Sequence, residues 1–549
     1  MTASNENDTD KQVASQETGD SGTAKTKAAA GSTTAKKSTA KAGDTKAGDK
    51  STTAKSTSRK SAAKKSTAKK TAAKKSTSKK AAAKKATAKK SAAKKSDTAA
   101  KKTSAGSSTA KKQTTKRRSS PAKTNGLRRV AIVGSARIPF CRSNTAYASL
   151  SNLDMLSDTL QKLSDKYELG GRKIDEVLAG AVTSHSRDWN LAREAVLGTD
   201  LSPATPGITL QMACGTSLQA AMMAAGKIAS GQIDCAIAAG ADTASDVPIV
   251  FHQRFAKRLM QMNRARGLGE KLRSLKGFRL KELTPQPPRN SEPRTQLSMG
   301  QHCELMAREW QVSREEQDQL TLDSHLRAAA GYDSGFFDDL VMPHEGMNRD
   351  NNIRPDSSLQ KLAALRPAFS RDQEATLTAG NSTPLTDGAA SVFLVSEDYA
   401  EKHDLPVQAW LTDCRSSAID FVHGAGLLMA PTVAVAELLQ RNAMSLQDFE
   451  YYEIHEAFAA QVLCTLKAWE DETFCRDTLD LDGPLGSIDR KRMNVMGGSL
   501  AFGHPFAATG ARVMGNLSAL LAEKRKKSHG LISVCTAGGM GAAAILESP

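Results

Sequence analysis

The stretch "ITLQMACGTSLQAAMMAAGKIASGQIDCAIAAGAD", residues 208–242, contains the alternation that decides the fold class. A short apolar run leads to a cysteine and a glycine, then to a helical pattern of small residues that reaches about Ser230, and then to a second apolar run. A strand, a helix and a strand in succession are typical of α/β proteins. We therefore predict an α/β fold with Cys214 at the start of a helix.

The same alternation continues in both directions along the chain. It begins at "LRRVAIVGSARIPF" (127–140) and ends at "HGLISVCTAGGMGAAAILES" (529–548), which predicts a strand, a tight glycine turn and a strand. Residues 251–290 differ, because they are basic, helical in pattern and end in prolines, so they predict an inserted subdomain. Ser313 and Glu316 form a capping box that opens the next helix.

The N-terminal segment, residues 1–126, carries the basic charge of the chain. It holds 33 Lys and Arg against 8 Asp and Glu, a net charge of +25, while the rest holds 77 − 33 = 44 against 58 − 8 = 50, a net charge of −6. It has almost no large apolar side chains, so we predict a disordered tail. From Ala62 to Ser96 a five-residue unit with paired lysines repeats seven times, and this spacing forms no amphipathic helical face. The tail either binds nucleic acid or another polyanion through counterion release, or is a solubilising tether.

The eight cysteines predict free thiols. They include no C-x-x-C pair and do not cluster as zinc ligands do. A chain of this size does not need disulfides to fold, so we expect its thiols to be reduced. Reduced thiols are typical of the cytoplasm, and we therefore expect a cytoplasmic location. The first residues lack the apolar segment of a secretory signal, and we find no apolar run long enough to span a bilayer.

Four residues with reactive side chains lie at predicted turns at the ends of helices or strands. Cys214 lies at a helix N-terminus, which favours the thiolate of a reactive cysteine, although a buried inert cysteine would fit the same stretch. His504 lies between Gly and Pro in a glycine-rich loop, which suits a general base, an oxyanion donor or a structural histidine. Cys535 ends a strand before a glycine turn. His455 of "EIHEAFAAQ" is not half of a helical zinc site, because position 459 is alanine.

Four motifs in a fixed order carry a resemblance to a known family. With "QMACGTSLQA", "HEAFAAQ", "GGSLAFGHPFAATGAR" and "VCTAGGMGAA", supported by "NSTPLTDGAA" and "AAGADTAS", residues 128–548 resemble the thiolases. The chain looks most similar to the β-subunit of the fatty-acid β-oxidation (trifunctional) complex. Those proteins carry histidine at the position of His455, where most thiolases have asparagine, and a basic insert like residues 251–290.

The resemblance implies an αβαβα layered sandwich of two similar halves with an inserted loop domain. The N-terminal half would span residues 127–250 and continue at about 378–404. The loop domain would span residues 251–377, and the C-terminal half residues 405–549. Members of the family are dimers or tetramers, so we expect at least a homodimer, with the multifunctional α-subunit as a possible further partner.

The resemblance also implies a reaction, in which free CoA cleaves a 3-ketoacyl-CoA to acetyl-CoA and a shortened acyl-CoA. Cys214 would be the nucleophile and form an acyl-thioester, and His504 would accept its proton. Cys535 would protonate the leaving enolate and then deprotonate the incoming CoA thiol. His455 would support an oxyanion, directly or through a water. Coenzyme A would be a substrate, and no metal or redox cofactor is required.

Other positions have weaker assignments. Thr383 matches a position near the pantetheine arm, and Gly538 belongs to a turn whose amides approach the substrate. Glu456 either orients nearby groups or favours a helix N-terminus. Three basic residues of the insert meet CoA phosphates, the α-subunit or only solvent: Arg254, Lys257 and Arg258.

Three alternatives to a degradative thiolase stay open at this point. A ketoacyl synthase of the same superfold would use Cys214, His455 and His504, but it has no role for Cys535 and its glycine turn. A biosynthetic acetyl-CoA acetyltransferase of the same family is the second alternative. A binding protein could keep the enzyme's body to display the basic tail, which the four intact motifs argue against.

Overall fold

The computed structural model describes residues 126–424 and 426–549. The disordered tail predicted for residues 1–126 therefore lies outside the described residues, apart from Gly126. Within the described ranges, no helix combines the length and the apolar character that crossing a membrane would need.

The described residues form a mixed sheet flanked by helices. Its strands are β1 (Val130–Arg137), β2 (Cys141–Arg142), β3 (Glu176–Gly180), β4 (Gly207–Thr209), β5 (Cys235–Asp242), β6 (Thr386–Ser396), β7 (Ala409–Ala418), β8 (Tyr451–Ile454), β9 (His529–Thr536) and β10 (Met540–Glu547). The helices are α1 (Asn152–Lys166), α2 (Leu191–Leu197), α3 (Thr216–Ala229), α4 (Gln253–Arg264), α5 (Leu268–Ser274), α6 (Met299–Glu309), α7 (Arg314–Asp333), α8 (Leu359–Ala363), α9 (Glu397–Lys402), α10 (Ala430–Asn442), α11 (Ala459–Glu470), α12 (Glu472–Asp477), α13 (Ser499–Phe502) and α14 (Thr509–Ala522).

The sheet consists of two similar halves. Its strand order is β4-β3-β5-β6-β1-β7-β10-β9-β8, with β2 paired to β6. Strands β1 and β7 join the halves through the pairs Ala131–Trp410 and Ile132–Ala409. In each half an antiparallel trio, β5-β6-β1 or β9-β10-β7, is extended by a parallel strand, β3 or β8. The prediction of two similar halves is confirmed.

Three hydrophobic clusters show the layers. The central cluster joins Leu218 of α3 and Leu517 of α14 to strands of both halves, so these two helices form the middle layer. A second cluster packs Leu156 of α1 on the N-terminal half, and a third packs Leu438 of α10 and Leu463 of α11 on the C-terminal half. The αβαβα order implied by the resemblance is therefore present.

The middle layer depends on a close approach between its two helices. A Cβ atom added at Gly510 of α14 would lie 2.4 Å from the backbone nitrogen of Leu218 in α3. A glycine is needed there because any side chain would push the helices apart. This packing holds the N-terminal ends of α3 and α14 near each other, where the candidate site lies.

The two halves differ in the connection between their central antiparallel strands. Residues 243–385 separate β5 from β6 and contain α4 to α8, whereas β9 and β10 are joined by the turn at residues 537–539. The loop domain predicted at residues 251–377 lies within the longer connection. The capping box predicted at Ser313 is present at the start of α7, where Glu316 closes it.

Candidate active site

The four predicted catalytic residues lie at the ends of elements, and all four are buried. Cys214 occupies a short 3-10 turn, Ala213–Gly215, that leads into α3. His455 directly follows β8, and Cys535 is the penultimate residue of β9. His504 lies between α13 and the turn before α14. The side chains therefore come from both halves of the sheet and from the starts of both central helices.

The turn that carries Cys214 is strained and tightly packed. Ala213 has a φ of +44°, which an alanine rarely adopts. A Cβ added at Gly215 would lie 2.9 Å from Cγ2 of Thr536, so the turn presses against the end of β9. Backbone strain of this kind persists only where the surroundings hold it, and here it fixes the position of the sulfur.

Cys214, His455 and His504 form one compact cluster. A sulfur or ring nitrogen from each lies within 4.8 Å of the others, and the two imidazole centroids are 4.2 Å apart. Among the described residues, the Nε2 atoms of both histidines have no protein partner. Buried polar atoms are normally paired, so these two nitrogens are available to a bound reactant.

His504 is held at its backbone and at its ring. Its backbone N–H donates to Oγ1 of Thr386 at 2.6 Å, and its Nδ1 lies 2.6 Å from Oγ1 of Thr509. Gly503 before it has a φ of +96°, and a Cβ there would lie 2.3 Å from Thr386. The glycine thus permits the turn that directs the ring toward Cys214.

His455 is held by a different set of contacts. Its backbone N–H donates to the carbonyl of Ser533 at 2.8 Å, which continues the pairing of β8 with β9. Its Nδ1 lies 2.9 Å from Oγ of Ser499, and Nη2 of Arg512 donates to the same oxygen at 2.7 Å. The ring is therefore linked through one hydroxyl to a buried positive charge.

Glu456 orients the loop around the two histidines. Its carboxylate accepts from Nδ2 of Asn494 at 2.6 Å, from Oγ of Ser324 at 2.8 Å and from the backbone N–H of Leu500 at 3.1 Å. Helix α11 begins only at Ala459, so the carboxylate does not cap that helix. Of the two alternatives for Glu456, the orienting role agrees with these contacts.

Burial decides the protonation of the cluster. Burial raises the pKa of Cys214 to about 12, although a hydrogen bond from the Ala537 amide opposes the rise. Burial also raises the pKa of Cys535 well above its ordinary value, and the nearby Cys214 adds to that rise. The prediction of a favoured Cys214 thiolate is wrong, because burial raises the pKa of the thiol and so favours its neutral form. Burial, and secondarily Arg512, lowers the pKa of His504 to about 3. A neutral thiol thus faces a neutral imidazole, and a proton must move during any reaction.

Comparisons with known proteins identify the family to which the chain belongs. Residues 130–398 match the family "Thiolase, N-terminal domain" and residues 405–548 match "Thiolase, C-terminal domain". The chain belongs to the thiolase family. A 3-ketoacyl-CoA thiolase from Yersinia pestis (strain Pestoides F) is 40% identical to this thiolase over 435 residues, which cover 78% of this chain and 98% of that protein. The family assigns the chain thiolase activity, so it is an acyltransferase.

Solved thiolase structures share the fold. The acetyl-CoA acetyltransferase of Bacillus anthracis has a TM-score of 0.65 and 27% identity, covering 78% of this chain and 100% of that one. Human mitochondrial 3-ketoacyl-CoA thiolase in complex with CoA has a TM-score of 0.64 and 26% identity, covering 77% and 98%. The predicted thiolase fold is confirmed.

Two predicted substrate contacts of this thiolase have other partners in the structure. Oγ1 of Thr383 donates to the carbonyl of Ala457 at 3.1 Å, which ties it to the segment after His455. The backbone N–H of Gly538 donates to Oε1 of Glu292 at 3.0 Å. Substrate binding at these two residues stays a prediction.

Sequence reasoning missed the residues that hold the histidines. Ser499, Thr509 and Arg512 all lie in the quoted motif "GGSLAFGHPFAATGAR", but only the histidine has a flanking Gly and Pro that mark it as a candidate. Thr509 and Arg512 are three residues apart at the start of α14 and therefore share one helix face, which is the signal that could have indicated them. The pairing of Ser499 with His455 joins residues 44 positions apart, and no local pattern predicts it.

One cavity of about 380 Å³ lies between α7 and the segment around residues 490–494 of the thiolase. Glu456 and Ser324 line it, whereas none of the four predicted catalytic residues does. The cavity therefore touches the support of the site and not the reacting groups.

Proposed function

We propose that this thiolase cleaves a 3-ketoacyl-CoA with free CoA to give acetyl-CoA and a shortened acyl-CoA. The observation that carries the proposal is the convergence of Cys214, His455 and His504 in one buried cluster, with Cys535 beside it. A thiolase needs both cysteines, because one forms the acyl-thioester and the other protonates the leaving acetyl-CoA enolate and then deprotonates the incoming CoA thiol.

The first half-reaction breaks the carbon–carbon bond. Cys214 Sγ attacks the 3-keto carbon while Nε2 of His504 accepts the thiol proton; its Nδ1–H donates to Thr509. His455 and His504 stabilise the negative charge on the former keto oxygen. When that oxygen re-forms its double bond, the bond to the adjacent carbon breaks and acetyl-CoA leaves as an enolate. Cys535 gives the enolate carbon its proton.

The second half-reaction releases the acyl group. The Cys535 thiolate takes the proton of the incoming CoA thiol, and the CoA sulfur attacks the carbonyl of acyl-Cys214. The backbone amide of Ala537, which lies at the Cys214 sulfur, suits an oxyanion contact near the thioester. The Cys214 sulfur leaves and recovers a proton from His504. The cycle consumes no redox equivalent and uses no metal step.

The decisive experiment compares two acyl carriers. Purified enzyme is given a 3-ketoacyl-CoA with free CoA, and separately a malonyl or acyl group on an acyl-carrier protein. We expect CoA-dependent cleavage and no reaction with the carrier protein. Activity only on the carrier protein would instead identify a ketoacyl synthase and remove the role of Cys535.

We further propose that the reaction runs in fatty-acid β-oxidation on medium to long acyl chains. The similarity to a curated 3-ketoacyl-CoA thiolase supports this direction over a biosynthetic acetyl-CoA acetyltransferase. A series of 3-ketoacyl-CoA substrates of increasing chain length tests it. A turnover confined to acetoacetyl-CoA would favour the biosynthetic alternative.

We propose that the chain forms a homodimer or a higher oligomer. We further propose that this oligomer binds an α-subunit with hydratase and dehydrogenase activities. Helices α4 and α5 have no buried residues, and Met260, Leu268 and Leu272 are each more than half exposed beside several arginines and lysines. An exposed apolar surface of this kind supports a protein partner over a solvated face. Light scattering of the purified chain should give at least the dimer mass; a monomer would contradict the proposal.

We also propose a cytoplasmic enzyme whose residues 1–126 bind nucleic acid or another polyanion. The net charge of that segment supports binding by counterion release. Gel shifts of the full chain and of residues 127–549 across a salt series test the tail. Equal binding by the two proteins would remove its role.

We propose the same domain bounds that the resemblance implies. The N-terminal half spans residues 127–250 and continues at about 378–404, the loop domain spans residues 251–377, and the C-terminal half spans residues 405–549.

A further inference from the structure

We propose that Ser499 and Arg512 are positioning residues that keep the proton of His455 on Nε2, so that His455 acts as a hydrogen-bond donor and not as a base. The proposal rests on the proposed function, because it assigns a state to one member of that site. It follows from the direction in which three hydrogen-bonding groups must point.

The direction of the hydrogen bonds starts at Arg512. A guanidinium only donates, so the 2.7 Å contact makes Oγ of Ser499 an acceptor. Among the described residues, the other partner of that hydroxyl is Nδ1 of His455, at 2.9 Å. If that oxygen also accepted from Nδ1–H, the serine hydrogen would have no acceptor among the described residues. We therefore assign the serine hydrogen to Nδ1, which leaves Nδ1 as the unprotonated nitrogen of the ring. A neutral imidazole then carries its hydrogen on Nε2, the atom that lies in the cluster.

The positive charge at the start of this chain of contacts is fixed in place. Arg512 is buried, and its Nη1 lies 3.4 Å from Oε2 of Glu453, which is also buried. Its guanidinium carbon lies 5.5 Å from the ring centroid of Phe502. Burial lowers the pKa of His455 and so opposes a second proton on its ring, and the adjacent His504 and the fixed cation of Arg512 oppose it further. The ring is thus kept neutral as well as in one tautomer.

The second histidine lacks this constraint. Nδ1 of His504 faces only Oγ1 of Thr509, and in the described part of the chain that hydroxyl has no other hydrogen-bond partner. Thr509 can therefore either donate to Nδ1 or accept from Nδ1–H, and in the second case Nε2 of His504 is free to take a proton. The contacts thus hold His455 as a donor and leave His504 able to act as the base. They also remove Nε2 of His455 as a metal ligand, since a protonated ring nitrogen cannot bind a cation.

A double-mutant cycle tests, through kinetics, the series of contacts from Arg512 through Ser499 to His455, which we call the relay. Loss of a whole oxyanion donor lowers kcat by about 10²–10³-fold, so misdirecting it for part of the time should cost roughly tenfold. We expect Ser499→Ala to lower kcat about tenfold in the enzyme with His455. In the His455→Asn background the same change should cost less than twofold, because the asparagine has no tautomer to select. An equal loss in both backgrounds would mean that Ser499 is only structural and would overturn the proposal.

A spectroscopic measurement tests the same state without using activity. Solid-state ¹⁵N spectra of the full chain labelled at histidine, with His455 assigned by its loss in His455→Asn, report which ring nitrogen carries the proton. We expect a protonated Nε2 and an unprotonated Nδ1. A protonated Nδ1 would overturn the relay even if the enzyme is an active thiolase. The expected spectrum in a protein without thiolase activity would instead leave the relay intact and reject the proposed function.

Discussion

The two halves of the molecule place different side chains at equivalent turns, a cysteine in the N-terminal half and a histidine in the C-terminal half. In the N-terminal half, a short 3-10 turn before α3 carries Cys214, the proposed nucleophile. In the C-terminal half, a short 3-10 turn before α14, Phe506–Ala508, begins two residues after His504, the proposed base. The two halves differ at the outer edge of the sheet. The first half ends in the parallel strand β4, whereas the second half has only a single parallel bridge there, between Tyr452 and Met493. A repeated fold thus places the proposed donor and the proposed acceptor of one proton at equivalent positions in the two halves.

Each half also supports the turn of the other half. Oδ2 of Asp242, at the end of β5, accepts from the backbone N–H of Ala507 in the turn after His504 at 2.7 Å. At the end of β9, Thr536 packs against Gly215 in the turn that carries Cys214. The ends of equivalent strands therefore brace the two turns crosswise, so that each turn is held by a contact from the other half.

The largest test of the comparison removes the nucleophile. Cys214→Ala should lower the rate of cleavage by roughly 10⁴-fold or more, because no other group in the cluster can form the acyl-thioester. Intact-protein mass spectrometry after incubation with a 3-ketoacyl-CoA should show no acyl adduct. An adduct of unchanged amount on the variant would place the nucleophile elsewhere.

Removing the second cysteine should separate the two half-reactions. Cys535→Ala should nearly abolish turnover, by roughly 10²–10⁴-fold, because the general acid and base is lost while the nucleophile remains. Given an acyl-CoA donor, the variant should still accumulate acyl-Cys214 in the mass spectrum. Cys141→Ala, at a buried cysteine of the N-terminal half outside the cluster, is the matched control and should turn over normally. Normal turnover of Cys535→Ala would contradict the acid/base assignment.

The crosswise brace predicts a combined loss of stability and activity. Asp242→Asn keeps the shape but leaves one acceptor for the amides of Val182, Thr183 and Ala507. We expect the free energy of unfolding to fall by about 2 kcal/mol, the cost of leaving buried donors unpaired. Urea unfolding measures it, with Asp356→Asn on the exposed surface as the control. An unchanged midpoint with full activity would show that the brace is not needed.

Exchanging His455 for asparagine should have a smaller effect. An asparagine N–H can support the same oxyanion, so His455→Asn should keep a working thiolase with a loss of roughly tenfold or less in kcat. Steady-state kinetics with one substrate measures this. A complete loss would mean that the histidine does something that asparagine cannot.

The smallest expected effect concerns pH. The folded-state pKa of His504 is lowered to about 3, so between pH 6.5 and 3 the unfolded state binds a proton that the folded state does not. This residue therefore contributes to a loss of stability as pH falls below 6.5. The variant His504→Gln should lose less unfolding free energy than the parent between pH 7.5 and 5.5. An identical loss in both proteins would show that the imidazole does not stay neutral on folding.

Local patterns predicted the elements, and family motifs predicted the site. Cys214, His455, His504 and Cys535 were each recognisable because a quoted motif surrounds them, and α3 was readable from its small residues. The protonation of Cys214 was not, because the sequence shows a helix N-terminus but does not show that the sulfur is desolvated. The partners Ser499 and Asp242 were also missed, since their contacts join distant segments that only the folded chain brings together.

The long connection between β5 and β6 has a consequence for how the chain is made. Strand β6 pairs with both β1 and β5, yet Thr386 follows Arg137 by 386 − 137 = 249 residues. At a synthesis rate of about 5–20 residues per second, β1 emerges roughly 10 to 50 s before its partner. Until β6 has been made, β1 and, once it is synthesised, β5 lack the strand that pairs with both of them. We therefore expect the nascent N-terminal half to be prone to association with other chains until that strand is made.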